Sequence, residues 1–579
     1  MTTIGPVVPK VAPGQRPLGA TEPLPQVESV GPRLLELPLP KLGVPKAESV
    51  GVGRSRRRSP LQQAFSMEPE RLTQLLAGEI ESAFTYARSL KSAFTFFGGA
   101  RVKEDDPFFA EGKVWGEAVT LMNFGAAFGV ERLLEAVASG RFSEEACGAA
   151  KGAIMGAAAG RHGPLAFAKA LSQIGAGATP QAIALAVARL ERQGLDPAAA
   201  LLLAAVTTTG AGPGMMEAVP LGVLEAREKL EKLFPALAEE LKALMPTQGS
   251  RIKLDFEQKT SPAIEKVKEF LHFLPRRLAL TEQSPGFVVF PGGFGTLNEL
   301  FEVLRGGRPI ALHGRAFWSP LIDRMKQSWQ ERGLAHPDDV ANLVTTDGIG
   351  EALRHLITRG KKQAPPAPTA KRAAEMAADV VRGLQTLTQL PTAVTFIGGK
   401  RLKPNDLEVA TAGRLATQLS RAGVSVRIGG DGPMLDAISA GVRQIARHRP
   451  IQALLCDQGD LDHQAVSQKA DVAEIVHSFP AHKVLLYENT SAVVALPGGA
   501  GLMDEVWELA CLMQCQKIPK RPLILVGKTF WQPLLDACEA TMHNEQRQMI
   551  KKEDLQLFQV VDTEAEALQV LRTFPPAGP

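Results

Sequence analysis

The residues best placed to do chemistry lie in Phe287-Val-Val-Phe-Pro-Gly-Gly-Phe-Gly-Thr-Leu-Asn-Glu299. Phe287 to Phe290 is an apolar, aromatic and β-branched run stopped by Pro291, the pattern of a buried parallel strand. Gly292, Gly293 and Gly295 allow a sharp turn and close approach to a ligand, and Thr296 suits a helix N-cap. A helix starting there turns free N–H groups and the positive end of its dipole toward whatever lies beyond the strand, which suits an anion. Glu299, expected in the first helical turn, would put a carboxylate beside that anion. Phosphate cradle plus carboxylate is chemistry for a phosphorylated small molecule.

Three further stretches belong with this one. Phe96-Phe-Gly-Gly-Ala-Arg101 reads as a strand end with a glycine loop, which offers Gly98 and Arg101 as ligand contacts. Thr209-Gly-Ala-Gly-Pro-Gly-Met-Met-Glu-Ala218 reads as a second glycine loop opening a helix near Met215, which offers Gly210, Gly212 and Gly214. Phe273-Leu-Pro-Arg-Arg277 offers two cations, Arg276 and Arg277. Together the four stretches resemble the LOG ("Lonely Guy") family, similar to nucleoside 5′-monophosphate phosphoribohydrolases and often labelled lysine decarboxylases. The family's PGGxGTxxE is matched at 291–299, its TGGGPGIMEA with Ala211 for one glycine, its FxxRK with Arg277 for Lys, and its FGSAR with Gly99 for Ser.

The resemblance implies hydrolysis of an N-glycosidic bond to free base and ribose 5-phosphate. It makes Glu299 and Arg276 the catalytic pair, with Arg277, Thr296 and the glycines on substrate and phosphate. It implies no cofactor and no metal, and an oligomeric family whose active sites lie near subunit contacts. A nucleotide-binding protein of the same fold without catalysis is the alternative, since fold alone does not decide activity.

The elements that would hold these residues follow from the order of the chain. Strand, glycine loop and helix recur from Ala93 onward, the opening of a Rossmann-like unit. Residues 1–60, rich in Pro, Gly and Val, read as a disordered tail. Residues 61–360 form the first domain, interrupted at about 124–200 by an Ala/Gly-rich helical insertion, and the second strand is expected at Leu201–Val206. Prolines mark a linker at 361–372, and residues 373–575 repeat the first domain. Thr395-Phe-Ile-Gly-Gly-Lys-Arg401 echoes Thr95–Arg101, and Val493-Val-Ala-Leu-Pro-Gly-Gly-Ala-Gly-Leu-Met-Asp-Glu505 echoes the central stretch. The fold class is therefore α/β, two Rossmann-like domains with parallel sheets flanked by helices.

The copies differ where chemistry would occur. Copy two keeps Glu505 and Lys483 but has His482 at the Arg276 position, Leu502 at the Thr296 position, and Asp431 in its second glycine loop, where it would repel a phosphate. A neutral imidazole does not replace a permanent cation. From Pro291 to Arg308 is 17 residues and from Pro497 to Arg521 is 24, a shortfall of 7 expected in the helix after the motif of copy one. Chemistry in copy one alone and an intrachain pseudo-dimer, with higher homo-oligomers open, are the expectations.

Composition bounds the rest. With 45% hydrophobic and 22% charged residues the chain reads as globular, and a net charge of +4 over 579 residues gives no basic face for nucleic acid. Five cysteines show neither a paired framework nor zinc spacing, as expected in a reducing, cytoplasmic compartment. No apolar run reaches the roughly 18 residues of a membrane span.

Overall fold

The computed structural model describes residues 67–89, 93–158, 206–253, 260–282, 284–359, 369–459, 461–544 and 548–574. They build two seven-stranded sheets, ordered β4-β3-β2-β1-β5-β6-β7 and β11-β10-β9-β8-β12-β13-β14, in which every pairing is parallel. The strands of the first are β1 (Ala93–Phe97), β2 (Val206–Thr209), β3 (Gln248–Ile252), β4 (Lys266–Phe270), β5 (Phe287–Val289), β6 (Ile310–His313) and β7 (Leu343–Thr346). Those of the second are β8 (Ala393–Ile397), β9 (Ser425–Ile428), β10 (Ile451–Cys456), β11 (Val472–Val476), β12 (Thr490–Ala495), β13 (Leu523–Val526) and β14 (Phe558–Val561). The order is the same in both copies, so the expected pair of Rossmann-like α/β units is what the chain forms. Helices cover both faces, which is why β5 is apolar at every position and fully buried.

In each sheet successive strands are added first on one side of the central strand and then on the other. β1 pairs with β2 on one side (Thr95 opposite Thr208) and with β5 on the other (Phe97 opposite Val289). Strand order reverses there, so the loops after β1, β2 and β5 converge at one edge, the usual ligand position in such sheets.

The two copies pack through three pairs of equivalent helices: Pro69–Ser89 with Thr369–Gln389, Phe294–Arg305 with Ala500–Gln514, and Arg315–Arg332 with Lys528–Met542. Equivalent elements meeting each other is the arrangement of a two-fold interface.

Several expectations shift. β2 runs to Thr209, beyond the expected end at Val206, while 201–205 lie outside the described residues. The Pro107–Phe128 helix runs through the expected start of the insertion; helices Val130–Ala138 and Glu144–Ala158 follow, and 159–205 are outside the description. The tail to residue 66 and 360–368 also lie outside it, and a helix already begins at Thr369, inside the stretch read as linker. The 7-residue difference between copies is split. The helix after the motif has 12 residues in copy one and 15 in copy two, a difference of 3. The other 4 lie in the following loop, 306–309 against 515–522. Less than one helical turn is missing, and not two.

Candidate active site

The loop after β5 forms as expected, but its helix starts earlier. Gly293 is the N-cap, in extended conformation, and the helix runs Phe294–Arg305. Thr296 is therefore the third helical residue and does not cap. Its side chain leans over Gly292, where an added Cβ would lie 2.1 Å from Thr296 Oγ1. Glu299, the sixth residue, sits in the second turn. Copy two has the same geometry with Gly499 as N-cap and Leu502 leaning over Gly498.

Three neighbouring loops close on one another. The Gly99 N–H donates to the Pro291 carbonyl (2.9 Å), and the Met215 N–H donates to the Gly99 carbonyl (3.2 Å). Gly214 caps the Met215–Leu233 helix at φ 70°, and a Cβ there would lie 2.5 Å from the Gly99 carbonyl oxygen, so only glycine fits. Ala211, where the resemblance leads one to expect glycine, also has a positive φ of 58°, a strain of roughly 1 kcal/mol for a residue with a Cβ.

Arg276 reaches into this cluster from the Phe273–Thr281 helix. Its Nε donates to the Ser250 carbonyl in the middle of β3 (3.2 Å), and Nη1 donates to Glu299 Oε1 (3.2 Å). The guanidinium lies close to Gly210, where a Cβ would come within 2.6 Å of Nη2. Met216 lies over both Gly210 and Gly212. The Glu299 side chain is 16% exposed. Burial pushes its carboxyl above the ordinary range, and Arg276 opposes that rise.

The remaining predicted residues divide. Arg101 donates from Nη1 to the Met549 carbonyl of copy two (3.2 Å), and a Cβ on Gly293 would lie 2.7 Å from that same carbonyl oxygen. The segment around Met549–Ile550 thus covers the copy-one glycine loop, as Leu334–Ala335 covers Gly499 in copy two. Gly98 packs against Met215 and Phe290, and Gly295 faces Cys511 of copy two. An open depression of about 600 Å³ lies between the first two loops, lined by Arg101, Lys103, Gly214 and Glu217 among others.

Arg277 is not in this cluster. Successive helical residues point about 100° apart, and Arg277 turns to the other copy, bonding Asn298 Oδ1 (3.2 Å), Glu508 (2.7 Å) and Glu302 (3.3 Å). Its guanidinium is engaged by protein side chains, so it joins the copies and is not placed for a phosphate. The residues that the sequence reading missed are Ser250, Met216, Met549 and the acids Glu302, Asp504 and Glu508. Glu302 and Glu508 had a readable signal, a second Glu three residues after the motif's own in both copies.

Copy two builds a different arrangement from the same positions. His482 Nε2 donates to the Leu454 carbonyl (3.0 Å), and Nδ1 faces Glu505 Oε1 at 3.5 Å. Burial pushes the imidazole down to about 4 and the Glu505 carboxyl well above the carboxylate range. Where copy one holds a guanidinium and a carboxylate, copy two holds an imidazole and a carboxyl that burial pushes toward their neutral forms. Asp431 in its second glycine loop pairs with Lys400 (3.5 Å).

The shortened loop of copy one has a visible effect. A cavity of about 390 Å³ lies beside Gly306, bounded by Arg305, Arg308, Arg372, Asp379 and Phe479. Its counterpart beside Leu512, lined also by Lys517 and Ile518 of the longer loop, holds about 80 Å³. Among the described residues no cluster of acids, His or Cys could hold a metal, and no helix is long and apolar enough to cross a membrane.

Fold and site together define a tandem pair of Rossmann-like units with a carboxylate–guanidinium pair over glycine loops in the first. The family described as "possible lysine decarboxylase" matches residues 216–356 and 436–571, one segment in each half. Each half of the chain is thus similar to this family, consistent with a LOG-like tandem duplication. It is 25% identical over 118 residues to the probable cytokinin riboside 5′-monophosphate phosphoribohydrolase LOG6 of Arabidopsis thaliana; that stretch is 20% of this chain and 46% of the relative, about half its length. Among solved structures, the X-ray structure of TM1055, a structural-genomics target, aligns with 31% of this chain and 99% of its own at 16% identity and a TM-score of 0.23.

Proposed function

We propose that copy one hydrolyses the N-glycosidic bond of a nucleoside 5′-monophosphate, releasing the base and ribose 5-phosphate. The observation that carries this reading is the Arg276–Glu299 pair seated on Gly210 between two glycine loops. The loops would hold the 5′-phosphate by backbone N–H groups. As the bond from C1′ to the base breaks, its electron pair leaves with the base nitrogen and ribose becomes oxocarbenium-like. Glu299 stabilises that cation, orients water toward C1′ and takes its proton. Arg276 supports the charge on the departing base or the phosphate. A substrate of this kind would be met in the cytoplasm, the compartment that this reading proposes for the protein.

The test is incubation of the purified full chain with AMP, GMP, CMP and UMP, with free base and ribose 5-phosphate resolved by chromatography. Base release from at least one nucleotide is expected. Stabilisation against thermal unfolding by a nucleotide, without release of base from any, would replace the reading by the second one: a nucleotide-binding protein without catalysis. The replacement of the guanidinium by His482 beside Glu505 and the cover of Met216 and Met549 over the loops favour that alternative.

A further inference from the structure

Residues 273–305 of copy one correspond to 479–511 of copy two at a constant offset, 497 − 291 = 206. The Phe294–Arg305 and Ala500–Gln514 helices press against each other with acidic and basic side chains between them. Arg277 bonds Glu508 (2.7 Å) and Glu302 (3.3 Å). Lys483, fully buried, meets Asp504 (2.7 Å), Glu508 (2.8 Å) and Glu302 (3.4 Å). Arg305 bonds Asp504 (3.3 Å) and stacks on Phe479, 4.0 Å from the ring centre. Three cations thus face three carboxylates.

The two copies contribute unequally. The offset pairs Arg277 with Lys483 and Glu302 with Glu508, which are alike in charge. It also pairs Asn298 with Asp504 and Arg305 with Cys511, which are not. Copy one therefore brings two cations and one carboxylate, and copy two brings one cation and two carboxylates. Two copy-one faces together would bury a net charge of +2, and two copy-two faces −2; only the mixed pair is neutral. An unpaired charge in such a site is strongly destabilising.

We infer that this helix face is a docking surface for the unlike copy: the first copy's face accepts the second copy's and rejects a second face of its own kind. Like-with-like pairing, which two-fold related surfaces otherwise allow, has been closed by exchanging two residues per copy. The exchange is sterically simple. Arg305 passes Gly501, where a Cβ would lie 3.8 Å from its Cδ, and Cys511 Sγ stands at the equivalent place opposite Gly295, 3.7 Å from a Cβ there. The mixed pairing also carries Met549 onto Gly293 and Arg101, so copy one's glycine loop is completed only by copy two.

The test uses the full chain and exchanges charges between the copies. Asp504→Asn with Cys511→Arg gives copy two the charges of copy one, a buried +2. Asn298→Asp with Arg305→Cys makes the converse, −2. All four substitutions together restore neutrality with the pattern reversed. Each double variant is expected to lower the thermal unfolding midpoint by at least about 5 °C or fail to fold, and the quadruple variant to recover most of the loss. Double variants as stable as the parent, or a quadruple variant no more stable than the worse double, would overturn the inference.

Discussion

His482 stands where copy one has Arg276, the cation proposed for catalysis, and its burial should make a measurable acid weakness. The imidazole is 2% exposed, bonded to the Leu454 carbonyl, and held neutral down to a pKa of about 4. In the unfolded chain the same group titrates near 6.5. Its folded pKa is depressed, so it contributes stability that is present above the unfolded value and lost as pH falls toward the folded one. At about 1.36 kcal/mol per unit, a fall from pH 7.5 to 5 should remove about 2 kcal/mol through this residue. The variant His482→Gln lacks the titration. The assay is urea unfolding of both proteins at pH 7.5, 6 and 5, followed by tryptophan fluorescence, and the quantity is the difference between parent and variant, in which the other titrating groups cancel. The parent should lose about 2 kcal/mol relative to the variant across that range. A difference independent of pH, or one that grows in the parent's favour on acidification, would show that His482 is not buried neutral.

Three further outcomes follow from the geometry. Lys483→Met leaves Asp504, Glu508 and Glu302 short of one cation in a fully buried site; a loss of about 3–5 kcal/mol is expected in chemical unfolding, partly regained on adding Asp504→Asn. Gly210→Ala would place a methyl 2.6 Å from Arg276 Nη2 and 2.5 Å from Met216 Sδ, so kcat/KM for base release should fall about tenfold through displaced Arg276 with little change in thermal midpoint. The raised Glu299 carboxyl must be ionised to act; the acid limb of kcat/KM should therefore lie above the ordinary glutamate value of about 4.3 and be absent from the residual activity of Glu299→Gln.

The central strands were legible because a parallel strand covered on both faces must be apolar along its whole length, and Phe287–Val289 and Val493–Ala495 are; the polar β3 and β4 carried no such pattern. The doubling was legible because the strand–glycine–helix order recurs. Helix starts were less so. Thr296 has the chemistry of a cap, but Gly293, with no side chain to offer, takes the capping position, and the hydroxyl is spent over Gly292. Arg276 and Arg277 are adjacent in the chain and look interchangeable. One helical step sends the first to Glu299 and the second into the other copy, and nothing local distinguishes them. Met549, some 250 residues from the loop it covers, carries no motif at all. The cluster between the helices was half visible, in the repeated Glu302 and Glu508, but its neutrality depends on Asn298 and Arg305 being compared with Asp504 and Cys511 across a contact that only the fold provides.

The central claim is that the chemistry belongs to copy one. It is tested most directly by steady-state base release from Glu299→Gln and Glu505→Gln, each shown to be folded by circular dichroism. Copy one pairs its glutamate with a guanidinium at 3.2 Å, whereas copy two buries Glu505 beside an imidazole that carries no permanent charge, and burial pushes the Glu505 carboxyl up. Glu299→Gln is predicted to lower kcat/KM by a factor on the order of 10² or more, and Glu505→Gln by only a few-fold. Equal losses in the two variants, or a larger loss from Glu505→Gln, would contradict the assignment and place the reaction in copy two or in both.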